Sequence, residues 1–162
     1  MTTASNADTV SILTRLDIET VAPHFVRALG TLDAAATREL DAAGVEPLLR
    51  ELVRIRASQL NGCSYCVDMH TTDSLSKGER QRRVAAEPVW RESSLFTARE
   101  RAALELTEAT TRMSETHVPD DSWSAAATAF SPEELGALVS LIVTINAWNG
   151  LGVSTRAWAV TL

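Results

Sequence analysis

"SPEELGALVSLIVTINAWNGLGVST", Ser131 to Thr155, is the stretch whose reading decides the fold. Ser131 and Glu134 have the spacing of a capping box, in which a hydroxyl accepts from a free backbone N–H and a carboxylate three residues on reaches back. Pro132 suits the first helical position. From Leu135 to Thr155 there is no charge. A helix apolar on nearly every side belongs at the centre of a fold or of an oligomer. A membrane span needs about 20 mainly apolar residues. Here the strongly apolar part ends at Ile145 and is followed by Asn146, Asn149 and two glycines, which predicts a core helix.

Outward from this stretch the chain reads as helices throughout, since apolar residues recur at three and four and no period-two run of β-branched residues is evident. Ile18 to Ala43 carries an apolar stripe of Val21, Phe25, Val26, Leu29, Leu32, Ala36 and Leu40, with Gly30 a candidate break and Gly44 as C-cap. Pro47 opens the next helix, whose Leu48, Leu49, Leu52, Val53 and Ile55 face inward as far as about Leu60. Further helices are predicted over Ser64 to Ser76, Glu79 to Ala86, Thr97 to Met113 (from the capping box Thr97 to Glu100) and Asp120 to Phe130. The expectation is an all-α, single-domain helical bundle over residues 15–162, preceded by a flexible segment over residues 1–14.

Composition narrows the function classes. At 162 residues the chain would bury roughly 70% of the surface its unfolded form exposes. A net charge of -6 argues against a nucleic-acid surface, because phosphate binding needs clustered cations. The one basic cluster, Arg80, Arg82 and Arg83, is offset by Glu79 and Glu87 and reads as a solvated helix face. Only Lys77 stands against fourteen Arg, a bias given no mechanistic weight. Met1 to Thr14 has no positive region leading into an apolar run, so a signal peptide is not expected, and a cytoplasmic location is. No phosphate loop or dinucleotide fingerprint is present, so no bound nucleotide, flavin or other cofactor is expected.

Both cysteines lie in "NGCSYCVDMH", Asn61 to His70. Three readings compete. A metal clamp of Cys63, Cys66 and His70 lacks the fourth ligand that structural zinc sites have, unless His24, His117 or Glu51 supplies it. A structural crosslink over four residues gives only about 2 kcal/mol, in a compartment that would reduce it. A redox pair uses every residue: Cys63 sits at a predicted helix N-terminus, where free N–H groups favour thiolate, and His70 lies at i+4 from Cys66 on one face. Lowering a thiol pKa from about 8.5 to about 6.5 raises the thiolate fraction from roughly 3% to roughly 75%, but the lost nucleophilicity leaves only about a threefold gain. Protonating a departing oxygen contributes on the order of a hundredfold or more. A proton relay is therefore needed, and Asp68, Asp73 and Glu51 are the carboxylates near enough in sequence to touch the imidazole.

"ELVRIRASQLNGCSYCVDMH", Glu51 to His70, resembles the core motif of the alkylhydroperoxidase D-like family, within the carboxymuconolactone decarboxylase superfamily: Glu, eleven residues, Cys, two, Cys, three, His. The resemblance extends through "PVWRESSLFTARERAALELTEA" and "TINAWNGLGV", covering about Leu16 to Trp158. It implies an all-helical homo-oligomer, commonly a trimer or hexamer, whose thiols cycle between dithiol and disulfide while reducing hydroperoxides at the expense of an external dithiol or protein reductant. It also implies that Glu51, His70 and a water relay protons, that Cys66 is the peroxidatic residue, and that Cys63 resolves the sulfenic acid. No metal, nucleic acid or membrane is implied. Tyr65 departs from the histidine of well-studied members; a phenol donates a hydrogen bond but parts with its proton less readily than an imidazolium, so it is a relay or pocket residue that weakens one stage. A protein-disulfide reductase or redox sensor without peroxide turnover, and a non-enzymatic metal-binding or assembly module, are the alternative functions. Trp148 is read as core packing with Asn146 and Asn149 satisfying backbone groups, Trp90, Trp123 and Trp158 as core or interface anchors, and His24 and His117 as surface or helix-end residues.

Overall fold

A computed structural model describes residues 10–160, and among them only helices and turns occur. The expected flexible segment over residues 1–14 therefore falls mostly outside the described residues; Val10 to Asp17 is an irregular stretch leading into the first helix. The helices are α1 (Ile18–Val21), α2 (Pro23–Ala43), α3 (Pro47–Asn61), α4 (Ser64–Ser76), α5 (Gln81–Ala86), α6 (Ala98–Thr111), α7 (Met113–Thr116), α8 (Asp120–Ala129) and α9 (Pro132–Thr155), with a 3-10 segment over Glu87–Glu92. The all-α expectation holds.

The break in the first long helix falls at Pro23 and not at Gly30. Proline disfavours helical backbone in the residue before it, and Ala22 stands at φ -136°, ψ 54° while Gly30 continues the helix. The stripe over Ile18 to Ala43 is also narrower than its periodicity predicts: Leu29, Ala36 and Leu40 are buried, whereas Val21 on α1 and Phe25 and Leu32 on α2 are exposed.

Two left-handed glycines set the turns. Gly44 (φ 72°) ends α2 and Gly62 (φ 71°) ends α3, each followed by a residue whose N–H reaches back five residues, Val45 to Leu40 and Cys63 to Ser58, both at 3.0 Å. Both predicted capping boxes form, Thr97 with Glu100 and Ser131 with Glu134.

Helix α9 runs through the middle, packed on α2, α3 and α6. Its Leu138, Leu141 and Ile142 join Leu40, Leu49, Val53, Leu106 and Phe130 in the main core. Each such aliphatic side chain contributes about 1.5–3 kcal/mol by leaving water. The burial is one-sided within a single chain, however, since Gly136, Val143, Gly150 and Val153 face outward. A smaller cluster of Leu52, Trp90, Phe96 and Leu104 lies under the 3-10 segment. There the buried Glu108 accepts from Trp90 Nε1 at 2.8 Å and pairs with Arg56 at 2.7 Å and Arg91 at 2.6 Å. Trp90 is thus a core anchor as expected, while Trp123 is exposed.

The basic cluster is only partly a solvated face. Arg80 and Arg82 are exposed, but Arg83 bonds Glu79 at 3.0 Å and also pairs with Glu100. Glu87 forms no ion pair with any of them: it is 0% exposed and neither carboxyl oxygen has a hydrogen-bond partner.

Candidate functional site

The site is built where α3 ends and α4 begins. The Gly62 turn delivers Cys63 to the N-cap of α4, where its sulfur accepts from the Cys66 N–H at 3.4 Å. Cys66 follows one turn later, and the two form a disulfide with Cα atoms 5.4 Å apart. Both are buried, at 2% and 3% exposure. The thiols are consumed by each other in this state, and of the distant metal ligands considered from sequence, His24 and His117 sit exposed at helix ends, with His24 held by Arg27 at 2.8 Å.

His70 is one turn beyond Cys66, and both line one cavity. Its Nδ1 lies 3.0 Å from Glu51 Oε2, so of the three candidate carboxylates Glu51 is the one that holds the imidazole. Asp73 stands close by, its oxygen within 4.8 Å of the other two groups. Asp68 is exposed. With an ionised Glu51 accepting, Nδ1 carries the proton and Nε2 is the nitrogen left to serve the cavity.

Glu51 is 2% exposed yet ionised. Burial by itself pushes its carboxyl upward, but the bond to His70, the bond from Lys77 and the nearby Arg54 charge outweigh it and hold it down to about 2. Lys77 Nζ lies 2.6 Å and Arg54 Nη1 3.1 Å from Oε1. The single lysine, given no weight in the sequence, is therefore part of the site. A signal for it existed: Lys77 is seven residues beyond His70, two turns along the same helical face. Its ammonium also opposes any cation that would share Glu51.

Helix α9 closes the site from the other side. Asn149, 0% exposed, donates to Ser58 Oγ at 3.0 Å and accepts from Asn61 at 3.0 Å; Asn61 also donates to Asn146 at 2.7 Å. Asn146 reaches Thr111 Oγ1 at 3.1 Å and the Ile142 carbonyl at 2.8 Å. These amides mostly bridge α3 to α9 by side chains, where backbone partners were expected. The lock sits immediately before the Gly62 turn, and one turn farther along α9 Gly152 faces the disulfide: a Cβ there would lie 3.0 Å from Cys63 Sγ.

Two hollows flank the disulfide. Cys66 and His70 open on a cavity of about 440 Å³ with Met69, Ile145, Trp148 and Trp158 in its wall. Cys63 opens on a cleft of about 690 Å³ bounded by the irregular stretch before α1 and the tail after α9. Tyr65 and Trp158 line both, with ring centroids 5.7 Å apart, and Trp148 meets Trp158 edge-on at 5.9 Å. Trp148 and Trp158 are thus walls of the site, where core or interface packing was expected. Tyr65 is placed as a pocket residue.

The model of the carboxymuconolactone decarboxylase family matches residues 23–109, more than half of the chain. The chain belongs to this family. Within the carboxymuconolactone decarboxylase family it is of the alkylhydroperoxidase D-like type. Its fold is similar, with TM-score 0.85 and 33% identity over 93% of this chain and 100% of the other, to a protein of unknown function from Agrobacterium tumefaciens considered a candidate AhpD antioxidant-defence protein. It is also 38% identical over 105 residues, 65% of this chain and 71% of the relative, to the uncharacterized protein YdfG of Bacillus subtilis. The debrominase Bmp8 shares the fold, with TM-score 0.73 at 20% identity over 86% of this chain and 73% of Bmp8.

Proposed function

We propose that the chain is a thiol-dependent hydroperoxide reductase. The observation that carries this reading is the buried Glu51–His70 pair, 3.0 Å apart, whose His70 lines one cavity together with Cys66, its sulfur bonded to Cys63. In the reduced protein the neutral imidazole takes the Cys66 proton at Nε2, and Glu51 stabilises the imidazolium. The thiolate attacks the terminal peroxide oxygen, the O–O bond breaks, and the imidazolium returns its proton to the departing alkoxide, directly or through a water. Cys66 becomes a sulfenic acid; the Cys63 thiol then displaces water to close the disulfide. Two electrons and two protons from an external dithiol or protein reductant restore the pair. Tyr65 stacks against Trp158 and bounds the cavity in this scheme. The protein works as a homo-oligomer of three or six copies, which covers part of the outward side of α9.

Titration of free thiols tests the reading. Adding cumene hydroperoxide to the reduced protein should remove two thiols per chain, and Cys66→Ser should leave Cys63 unreactive toward the peroxide at neutral pH. Thiols that survive peroxide but exchange with a protein disulfide would replace it by a disulfide reductase or sensor. Stoichiometric zinc in the purified protein, lost on Cys63→Ala, would point to a metal-binding module instead.

A further inference from the structure

The two hollows on either side of the disulfide differ in charge as well as in the sulfur they reach. The cavity at Cys66 has Glu19, Asp33 and Asp73 in its wall, with Arg54 and His70. The cleft at Cys63 has Arg15 and Arg156 and no carboxylate among the described residues. Neither arginine makes an ion pair among the described residues, a state they share with Arg27, Arg38, Arg80, Arg82, Arg101 and Arg112; what sets Arg15 and Arg156 apart is that both line the same cleft. In a chain of net charge -6, a cleft whose described lining holds two guanidinium groups and no carboxylate is a local reversal of sign. Arg15 is held there by long bonds to the Val153 and Ser154 carbonyls, 3.4 Å each, at the C-terminal end of α9. Arg156 is held by the backbone: it caps α9 in the left-handed region, at φ 51°, a conformation that costs a non-glycine residue about 1 kcal/mol or more. A glycine would fill that cap without strain, so the arginine's presence there asks for a reason beyond the turn.

We infer that the cleft at Cys63 is the binding site of the reductant, and that it selects an anionic thiol, one carrying a carboxylate or comparable acid near its sulfur. The inference rests on the dithiol–disulfide cycle proposed above and adds which sulfur is attacked, from which side, and by what. A thiolate attacks a disulfide sulfur from the side away from the bond that breaks. Cys63 is reached from the cleft and Cys66 from the cavity. An anionic thiolate in the cleft therefore bonds to Cys63 Sγ and expels Cys66 as a thiolate beside His70, and the Cys66 thiolate takes a proton from solvent. A second thiolate attacks the reagent sulfur of the mixed disulfide, releasing the oxidised reagent and the Cys63 thiolate, which takes a proton from solvent. Two thiols are oxidised to one disulfide and the protein pair is reduced. Peroxide and reductant thus approach from different sides, with the acidic residues of the cavity turning the anion away from Cys66.

The test starts from oxidised protein without peroxide and follows its reduction by 3-mercaptopropionate, 2-mercaptoethanol and cysteamine, with rates corrected for each thiol's thiolate fraction and basicity. At low ionic strength the anionic reagent should lead the neutral one by about tenfold and the cationic one by more, and added salt should close the gap. Arg156→Gly should keep or raise the melting temperature while cutting the preference to about threefold, and Arg156→Glu should abolish it. As a second measurement, the rate ratio for the dianionic disulfide 5,5'-dithiobis(2-nitrobenzoate) over neutral 4,4'-dithiodipyridine should be about tenfold higher for Cys66→Ser than for Cys63→Ser. Equal rates for the anionic and neutral thiols at low salt, or equal ratios for the two single-cysteine variants, would overturn the inference. Because no peroxide is present, failure of peroxide turnover would leave these results standing, and their failure would leave peroxide turnover untouched.

Discussion

Glu51 sets the protonation state of the site, and its own state is set by three neighbours. Its carboxyl is held down to about 2 from an ordinary 4.5, which corresponds to about 3 kcal/mol of stability. A depressed carboxyl contributes that stability above the unfolded value, 4.5, and loses it as pH falls through about 2. Lys77→Met removes one of the two cations on Oε1, so its acid-unfolding midpoint, followed by circular dichroism, should move to higher pH than that of the unaltered chain. Glu51→Gln should leave the cysteines able to form the disulfide but slow their oxidation by peroxide about a hundredfold, measured by stopped-flow loss of thiols. Glu87 is the opposite case. Burial pushes it well above the ordinary range, with Arg56 and Arg83 only partly opposing and Glu79 adding to the rise. A raised carboxyl favours the fold below its unfolded value, and that contribution is lost as pH rises through the folded value. Glu87→Gln, neutral at every pH, should therefore melt higher than the unaltered chain at about pH 8 and nearly equally at about pH 4.5. Nothing in the pattern around Glu87 marked it as buried, because it sits beside three arginines; only the packing of the 3-10 segment puts it inside.

Among the elements, the ends of helices were legible and their faces less so. Gly44, Pro47 and the two capping boxes carry local signals whose physics is complete within a few residues, and each forms where expected. The outward sides of α2 and α9 depend on neighbours, which is why Phe25 and Val143 stand exposed against the expectation from periodicity. Gly152 is the element-scale feature closest to the chemistry. Alanine there gains up to about 1 kcal/mol of helix propensity, but its Cβ would stand 3.0 Å from Cys63 Sγ, and a disulfide sulfur has little freedom to retreat. In the dithiol form Cys63 can turn aside. Gly152→Ala should therefore destabilise the oxidised protein relative to the reduced one and raise the reduction potential, as measured by equilibration with glutathione redox buffers.

For the whole molecule, the disulfide spans too short a loop to act as a scaffold. By the chain-entropy relation its reduction should cost at most about 2 kcal/mol, which for a chain of 162 residues is a fall in melting temperature of about 4–8 °C, readable by calorimetry with and without reductant. A much larger fall would mean that the bond carries the fold. The sequence by itself determined the helical class, the caps, and the Glu, Cys, Cys and His register, because these depend on periodicity, on backbone geometry within a turn and on fixed spacing along the chain. Tertiary structure alone decided that Glu51 faces His70, that Lys77 and Arg54 share that carboxylate, that Trp148 and Trp158 wall the cavity, and that the two sulfurs open on hollows of different charge. Those relations join α3, α4, α9 and the irregular stretch before α1 across separations that no local pattern spans, and the state of a buried charge is defined by what packs around it.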